Sequence, residues 1–300
     1  MTEKTQDIWA RWVLERQFAG DPEKRKAGLA SIEAVRVFRD GVLAHAAVKE
    51  GDVVLDVGCG SGLIGFGALP LVGEAGVVVF CDVSQELLDH CRGLAAEQGT
   101  LGRCRFVRAS ATDLSELPDE SVDVVTTRSV LIYVDDKARA FGEFRRVLKS
   151  DGRVSVFEPI NRYFSRWDGA SGPVRFFGHD AGPAADAAAK VRAYVERLQP
   201  PDSDPMMDFD ECDLLRLAER SGFREVHLEL RVDIEPTKPR SWDETLRGSG
   251  NPKLPAFEEV LREALSAEER ELFAAHFRPL VETGGGAHRM AHAYLWATRS

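Results

Sequence analysis

The chain has 300 residues, 44% hydrophobic and 29% charged, a balance that suits a soluble globular protein of one large domain, or one domain with a cap. Its 49 acidic and 39 basic residues give a formal net charge of −10, which argues against a nucleic-acid duplex as the main partner. A membrane span needs about 18 consecutive apolar residues, and no such run occurs. The charged start MTEKTQDIWARW has no apolar signal core, so a cytoplasmic location is expected. The cysteines, Cys59, Cys81, Cys91, Cys104 and Cys212, include no CxxC pair. They read as reduced thiols, with no metal cluster and no thiophilic metalloid substrate expected.

In chain order, Ile8–Phe18 and Pro22–Ala47 read as helices, the second capped by Asp21 with Pro22 at its first position. Short apolar runs follow at Val53–Val57, Val77–Cys81, Cys104–Val107, Val122–Thr126 and Val154–Phe157, as expected of strands buried on both faces. Helical patterns lie between them. Gln85–Gln98 places Leu87, Leu88, Cys91, Leu94 and Ala95 on one face, with Ser84 as cap and Gly99 past the end. Lys137–Leu148 repeats the pattern, and Ser150-Asp151-Gly152 is expected to turn into the fifth strand. Farther on, a helical island at Ala184–Leu198 and a helix over Asp208–Gly222 precede an alternating strand at Glu225–Ile234. Ser266 with Glu269 starts another helix, and Ala291–Ala297 forms a last strand.

Alternating strand and helix signals predict an α/β fold: a doubly wound, mostly parallel seven-stranded sheet with helices on both faces and a helical cap. The expected organisation is an N-terminal helical lid over 1–47 and a core over 48–160. A first cap insertion over 161–208 follows, then a return to the core over 209–234, a second insertion over 235–288 and a final core strand over 289–300. Long insertions in a compact domain usually serve as lids or binding elements.

Chemistry concentrates in Val54–Gly62, VLDVGCGSG, where a strand runs straight into Gly58, Gly60 and Gly62. Glycines let the backbone turn tightly and approach a ligand. The spacing Gly60-x-Gly62-x-x-Gly65 also fits a dinucleotide loop. Two features disfavour that alternative. Asp56 lies inside the strand, where it would repel a pyrophosphate and favour an ammonium or sulfonium cation. Gly58 also follows the strand directly, earlier than the nicotinamide pattern needs. Asp82 ends the second strand in FCDVS, where one carboxylate can accept both hydroxyls of a ribose.

The string Val54-Leu55-Asp56-Val57-Gly58-Cys59-Gly60-Ser61-Gly62 resembles the first motif of the class I S-adenosylmethionine-dependent methyltransferases. The resemblance covers about residues 50–160 and implies S-adenosyl-L-methionine as cofactor. It sets the glycine loop, Cys59 included, against the methionine part, with Asp56 organising the loop and the ammonium group. It gives Asp82 the ribose and Val83 an apolar face of adenine. Ser110-Ala111 stands where related sequences often carry Asp-Ala, and Asp113 reads as its substitute or as a surface residue. Arg128, in TTRSVLIYV, is placed to grip a carboxylate of cofactor or substrate.

Candidate catalytic groups lie after the fourth and fifth strands and in the cap. Glu158 reads as a base or cation-binding group, or as a structural carboxylate paired with Arg162. Tyr133 reads as a pocket wall or a core aromatic. His179, beside Asp180, reads as an oriented base or a loop histidine. Trp9 and Trp12 read as packing residues. The function expected is methyl transfer to a small-molecule acceptor through O, N, S or C. Other chemistry on the same fold and a non-catalytic binding module are the alternatives, distinguished by whether cofactor binds and whether methyl leaves it. A nucleic-acid substrate is disfavoured by the acidic chain and by Thr127-Arg128-Ser129-Val130 in place of an Asn/Asp-Pro-Pro-Tyr motif.

Overall fold

The computed structural model describes residues 7–18, 35–164 and 174–300; the expected Asp21 cap and Pro22 helix start lie outside the described residues. The chain divides into two compact units. The first holds Met1–Pro159, Glu211–Leu230 and Ala293–Ser300; the second holds Ile160–Asp210 and Arg231–His292.

A seven-stranded sheet is the frame of the first unit. Its order is β3 (Cys104–Arg108), β2 (Val77–Asp82), β1 (Val53–Val57), β4 (Val122–Arg128), β5 (Leu148–Pro159), β9 (Ala287–Arg299), β8 (Phe223–Pro236). The pairs β1–β2, β1–β4, β2–β3 and β4–β5 are parallel. The unit boundary falls inside β8 and β9. The strand order reverses between β1 and β4, so the loops after these strands leave a switch point at the carboxyl edge, where open α/β sheets bind ligands.

Packing explains why the apolar runs became strands. Val54, Leu55, Val78, Phe80, Val124 and Val125 are buried, as parallel strands covered on both faces require. Helix α1 is Ile8–Phe18 and α2 covers residues 35–45. Helices α3 (Leu63–Val72), α4 (Gln85–Glu97) and α5 (Lys137–Val147) link successive strands. The Ser84 hydroxyl caps α4 by accepting from Leu87 N–H, and Leu87, Leu88, Cys91 and Ala95 are buried on one face. Ser150-Asp151-Gly152, expected as a turn before β5, instead lies within it. The register shifts between Val122 and Val124, and Asp151 takes a positive φ of 62, so the turn residues work as a bulge.

The second unit has its own apolar core. A hairpin of β6 (Arg175–Phe176) and β7 (His179–Asp180) leads to α6 (Ala185–Leu198), close to the expected island. Helix α7 (Glu211–Arg220) belongs to the first unit. Then come α8 (Trp242–Arg247), α9 (Phe257–Ala264) and α10 (Ala267–Thr283), the last begun by the Ser266–Glu269 capping box. Val191, Trp242, Leu261, Phe273 and Phe277 share the core. Among the described residues no helix is long and apolar enough to cross a membrane.

Candidate functional site

The loop after β1 holds three glycines in the left-handed region, with φ of 68, 55 and 84 at Gly58, Gly60 and Gly62. Their surroundings differ. A Cβ on Gly58 would stand 2.4 Å from Val130 Cγ2, and one on Gly62 would stand 2.5 Å from the Phe66 ring. A Cβ on Gly60 would meet no atom of the described residues within 4 Å. Two of the glycines therefore serve packing, and the middle one keeps open the space above the loop.

Two buried carboxylates brace this loop. Asp56 accepts the Gly65 N–H at 2.9 Å and the Thr126 hydroxyl at 3.2 Å. Burial pushes its pKa up to about 7, against these hydrogen bonds and the nearby Arg128. Asp82 is 6% exposed and accepts Gly60 N–H through one oxygen and Ser84 N–H through the other, both at 2.9 Å. Burial raises its pKa as well. Each carboxylate oxygen has two lone pairs, so Asp82 retains acceptor capacity. Val83 follows it, 44% exposed although apolar.

After β3, the Ser110 and Thr112 hydroxyls lie 2.9 Å apart, and the Ser110 hydroxyl accepts Thr112 N–H at 3.2 Å. Asp113 is exposed and accepts Ser115 N–H. It does not line the cavity described below, whereas Thr112 does.

The loop after β4 has no glycine. Ser129 adopts φ 56, and its N–H donates to the Phe157 carbonyl at 2.8 Å. The Glu158 carboxylate accepts three consecutive N–H groups, from Val130 and Leu131 at 2.9 Å and from Ile132 at 3.2 Å. Burial brings the Glu158 pKa up to about 7 despite these bonds and Arg128. Arg128 makes no hydrogen bond or ion pair with the described residues. Burial lowers its pKa, while Glu158, Asp56 and Tyr133 favour its charge.

These loops enclose a cavity of about 500 Å³, within the usual range for small-molecule sites. Asp56, Gly58, Cys59, Gly60, Asp82, Val83, Ser110, Ala111, Arg128 and Tyr133 all line it. Gly62, Glu158 and His179 do not. The sequence reading of Glu158 as a base facing substrate meets a different arrangement: the carboxylate is fully buried and turned into the backbone of the β4 loop. His179 lies in the second unit, in the β6–β7 hairpin, with its Nε2 buried and without a hydrogen bond to the described residues.

Part of the cavity wall comes from residues whose sequence pattern reads as core packing. Trp9, Trp12 and Val13 of α1 line the cavity, and Trp9 meets Tyr133 edge to face at 4.8 Å. Asp7 starts α1 by accepting the Trp9 and Ala10 N–H groups at 3.0 Å. The Trp9–Trp12 spacing on a capped helix was the available signal, but helical spacing alone fits core packing equally well.

Residues 55–156 match the family model described as "Methyltransferase domain". Over 123 residues the chain is 34% identical to the ubiquinone/menaquinone biosynthesis C-methyltransferase UbiE of Marinomonas sp. (strain MWYL1), a match covering 41% of this chain and 49% of that protein. The UbiE of Francisella philomiragia subsp. philomiragia is 33% identical over 130 residues, covering 43% of this chain and 52% of that one. The matches thus span about half the length of these curated relatives. Among solved structures, a geranyl diphosphate methyltransferase in complex with SAM aligns with TM-score 0.52 at 17% identity, over 94% of this chain and 92% of that one. The YcgJ protein from Bacillus subtilis aligns with TM-score 0.53 at 15% identity, over 87% and 97%. At these identities the structural likeness establishes the fold.

Proposed function

We infer that this chain, which carries a methyltransferase domain of the class I S-adenosylmethionine-dependent family in residues 55–156, transfers a methyl group from S-adenosyl-L-methionine to a small-molecule acceptor. The observation that carries the reading is a pairing across one cavity. Asp82 at the end of β2 and Arg128 at the end of β4, a cation without an ion pair among the described residues, flank the glycine loop of β1. A ligand with a ribose toward one side and an amino-acid carboxylate toward the other matches that order of charges.

The residues fit such a ligand. Gly60 leaves space a side chain would fill, and the spare lone pairs of Asp82 suit ribose hydroxyls. Val83 offers an apolar face to a base, with Ser110, Ala111 and Thr112 beside it. Arg128 suits the carboxylate. Asp56, bound to Gly65 N–H and the Thr126 hydroxyl, acts on the ligand by fixing the loop.

When bound, S-adenosylmethionine supplies an electrophilic methyl on a good sulfonium leaving group. The protein's task is then mainly to hold the acceptor in line and exclude water. Tyr133, with Trp9 and Trp12, gives the acceptor an apolar wall with one phenolic hydroxyl. Of the three residues singled out for catalysis, Tyr133 is the one that lines this cavity, and we assign it to acceptor contact. We place the reaction in the cytoplasm.

Calorimetry with S-adenosylhomocysteine tests the reading. The wild-type chain should bind it, and Asp82→Ala should weaken binding by about 1–3 kcal/mol, the range for leaving polar partners unpaired. Equal affinity in the two proteins would remove Asp82 from the ribose. Absence of binding to wild type would overturn the cofactor assignment.

A further inference from the structure

We propose that Glu158 is a positioning residue for the cofactor's amino-acid end: its carboxylate holds the β4 loop in the shape that presents Arg128 to that ligand's carboxylate. The proposal rests on the cofactor reading above.

β4 ends at Arg128, and the chain must turn at once to bring residues 128–136 along the cavity wall. The loop has no glycine for this. Ser129 takes a left-handed φ of 56 instead, a conformation costly for a residue with a side chain. The next residues form a single helical turn, Leu131–Tyr133. The N–H groups at the start of such a turn have no partner within it, and burying them unpaired is expensive.

Glu158 solves both difficulties. It ends β5, the parallel neighbour of β4, where Arg128 pairs in register with Phe157. Its Oε1 takes the Val130 and Leu131 N–H groups and its Oε2 takes Ile132. Three backbone hydrogen bonds accepted by one fully buried side chain fix the turn. The hold reaches the cavity at two points near the start of the loop. Val130, whose N–H is bound, packs where a Gly58 side chain would stand. Arg128, two residues earlier, makes no hydrogen bond or ion pair with the described residues, so the loop backbone sets its position. The negative charge of Glu158 also favours the charged form of Arg128 in this desolvated position.

Glu158→Gln is the decisive substitution. It keeps the shape, but it turns one acceptor oxygen into an NH₂ donor facing backbone N–H groups. Two probes separate positioning from general stability. S-adenosylhomocysteine carries the amino-acid carboxylate, and 5′-methylthioadenosine lacks it. In E158Q, affinity for S-adenosylhomocysteine should fall by about tenfold or more, as expected for weakening one bond to a charged group, with affinity for methylthioadenosine within about twofold of wild type. In an Arg128→Met background, adding E158Q should cost little more. Equal loss for both probes, no loss for either, or full additivity with R128M would each overturn the proposal. If E158Q does not fold, Glu158→Asp carries the same comparison, because it keeps the charge and shortens the reach by one methylene. Wild-type protein binding neither probe would overturn the cofactor reading and this inference with it, a result distinct from selective failure in the variants.

Discussion

The loops after β1 and β4 stand side by side at the same edge of the sheet and line the same cavity, yet they are built differently. The β1 loop reaches positive φ at Gly58, Gly60 and Gly62, so its shape is encoded in residues that allow it. The β4 loop reaches positive φ at Ser129, and its shape is imposed by a carboxylate from the neighbouring strand. One loop is permitted its conformation locally, and the other is held in it from a distance. The two also interlock, because Val130 of the second occupies the space a side chain on Gly58 would need.

Substitutions can break this comparison in order of expected effect. Gly58→Val should be the most damaging to the fold. It adds positive-φ strain to a 2.4 Å collision with Val130, and about 3 kcal/mol or more of stability should be lost in a denaturant melt. A near-neutral result would show that the loops do not interlock. Gly60→Val should divide differently. Strain alone should cost about 1–3 kcal/mol of stability, because no atom of the described residues stands within 4 Å of the new Cβ. Cofactor binding, by contrast, should be lost. Wild-type affinity for S-adenosylhomocysteine in that variant would contradict the placement of the ligand over this loop.

The smallest effect is a pH dependence to which each loop contributes one group. Burial brings Asp56, behind the β1 loop, and Glu158, behind the β4 loop, to about 7. A carboxyl whose folded pKa lies above its unfolded value binds protons better when folded. Its contribution to stability is therefore greatest at low pH. It is lost as pH rises from the ordinary carboxylate range through about 7, and levels off above. Glu143, held low by Arg146, has the opposite sign, but its window lies below its ordinary value of 4.5. Between pH 6 and pH 8 each raised group should cost about 1 kcal/mol. His45 and His90, whose pKa values burial lowers, act in the opposite direction over this range, so the two carboxyls show as the part of the pH 6 to pH 8 difference in urea midpoint that their own variants remove. Asp56→Asn and Glu158→Gln should each remove part of that difference; an unchanged difference in both would show that neither group titrates there.

What the sequence determined by itself was whatever a few neighbouring residues decide. The run into Gly58, the Ser84 cap, the Ser266–Glu269 box and the alternation at β8 are local statements, and turn and capping chemistry acts over three or four residues. Asp82 was legible for the same reason, since a strand end fixes where its side chain goes. The rest needed the tertiary structure. The partners of Glu158 lie 26 to 28 residues away, so whether that carboxylate meets substrate or backbone depends on how β4 and β5 pair. Trp9 and Trp12 carry a spacing that core and cavity wall share. Helices α8 and α9 are too short to show a period, and their shape follows from burying Trp242, Val260 and Leu261 in a common core. Arg128 was visible as a cation, but that it makes no ion pair among the described residues follows only from the neighbours the fold gives it.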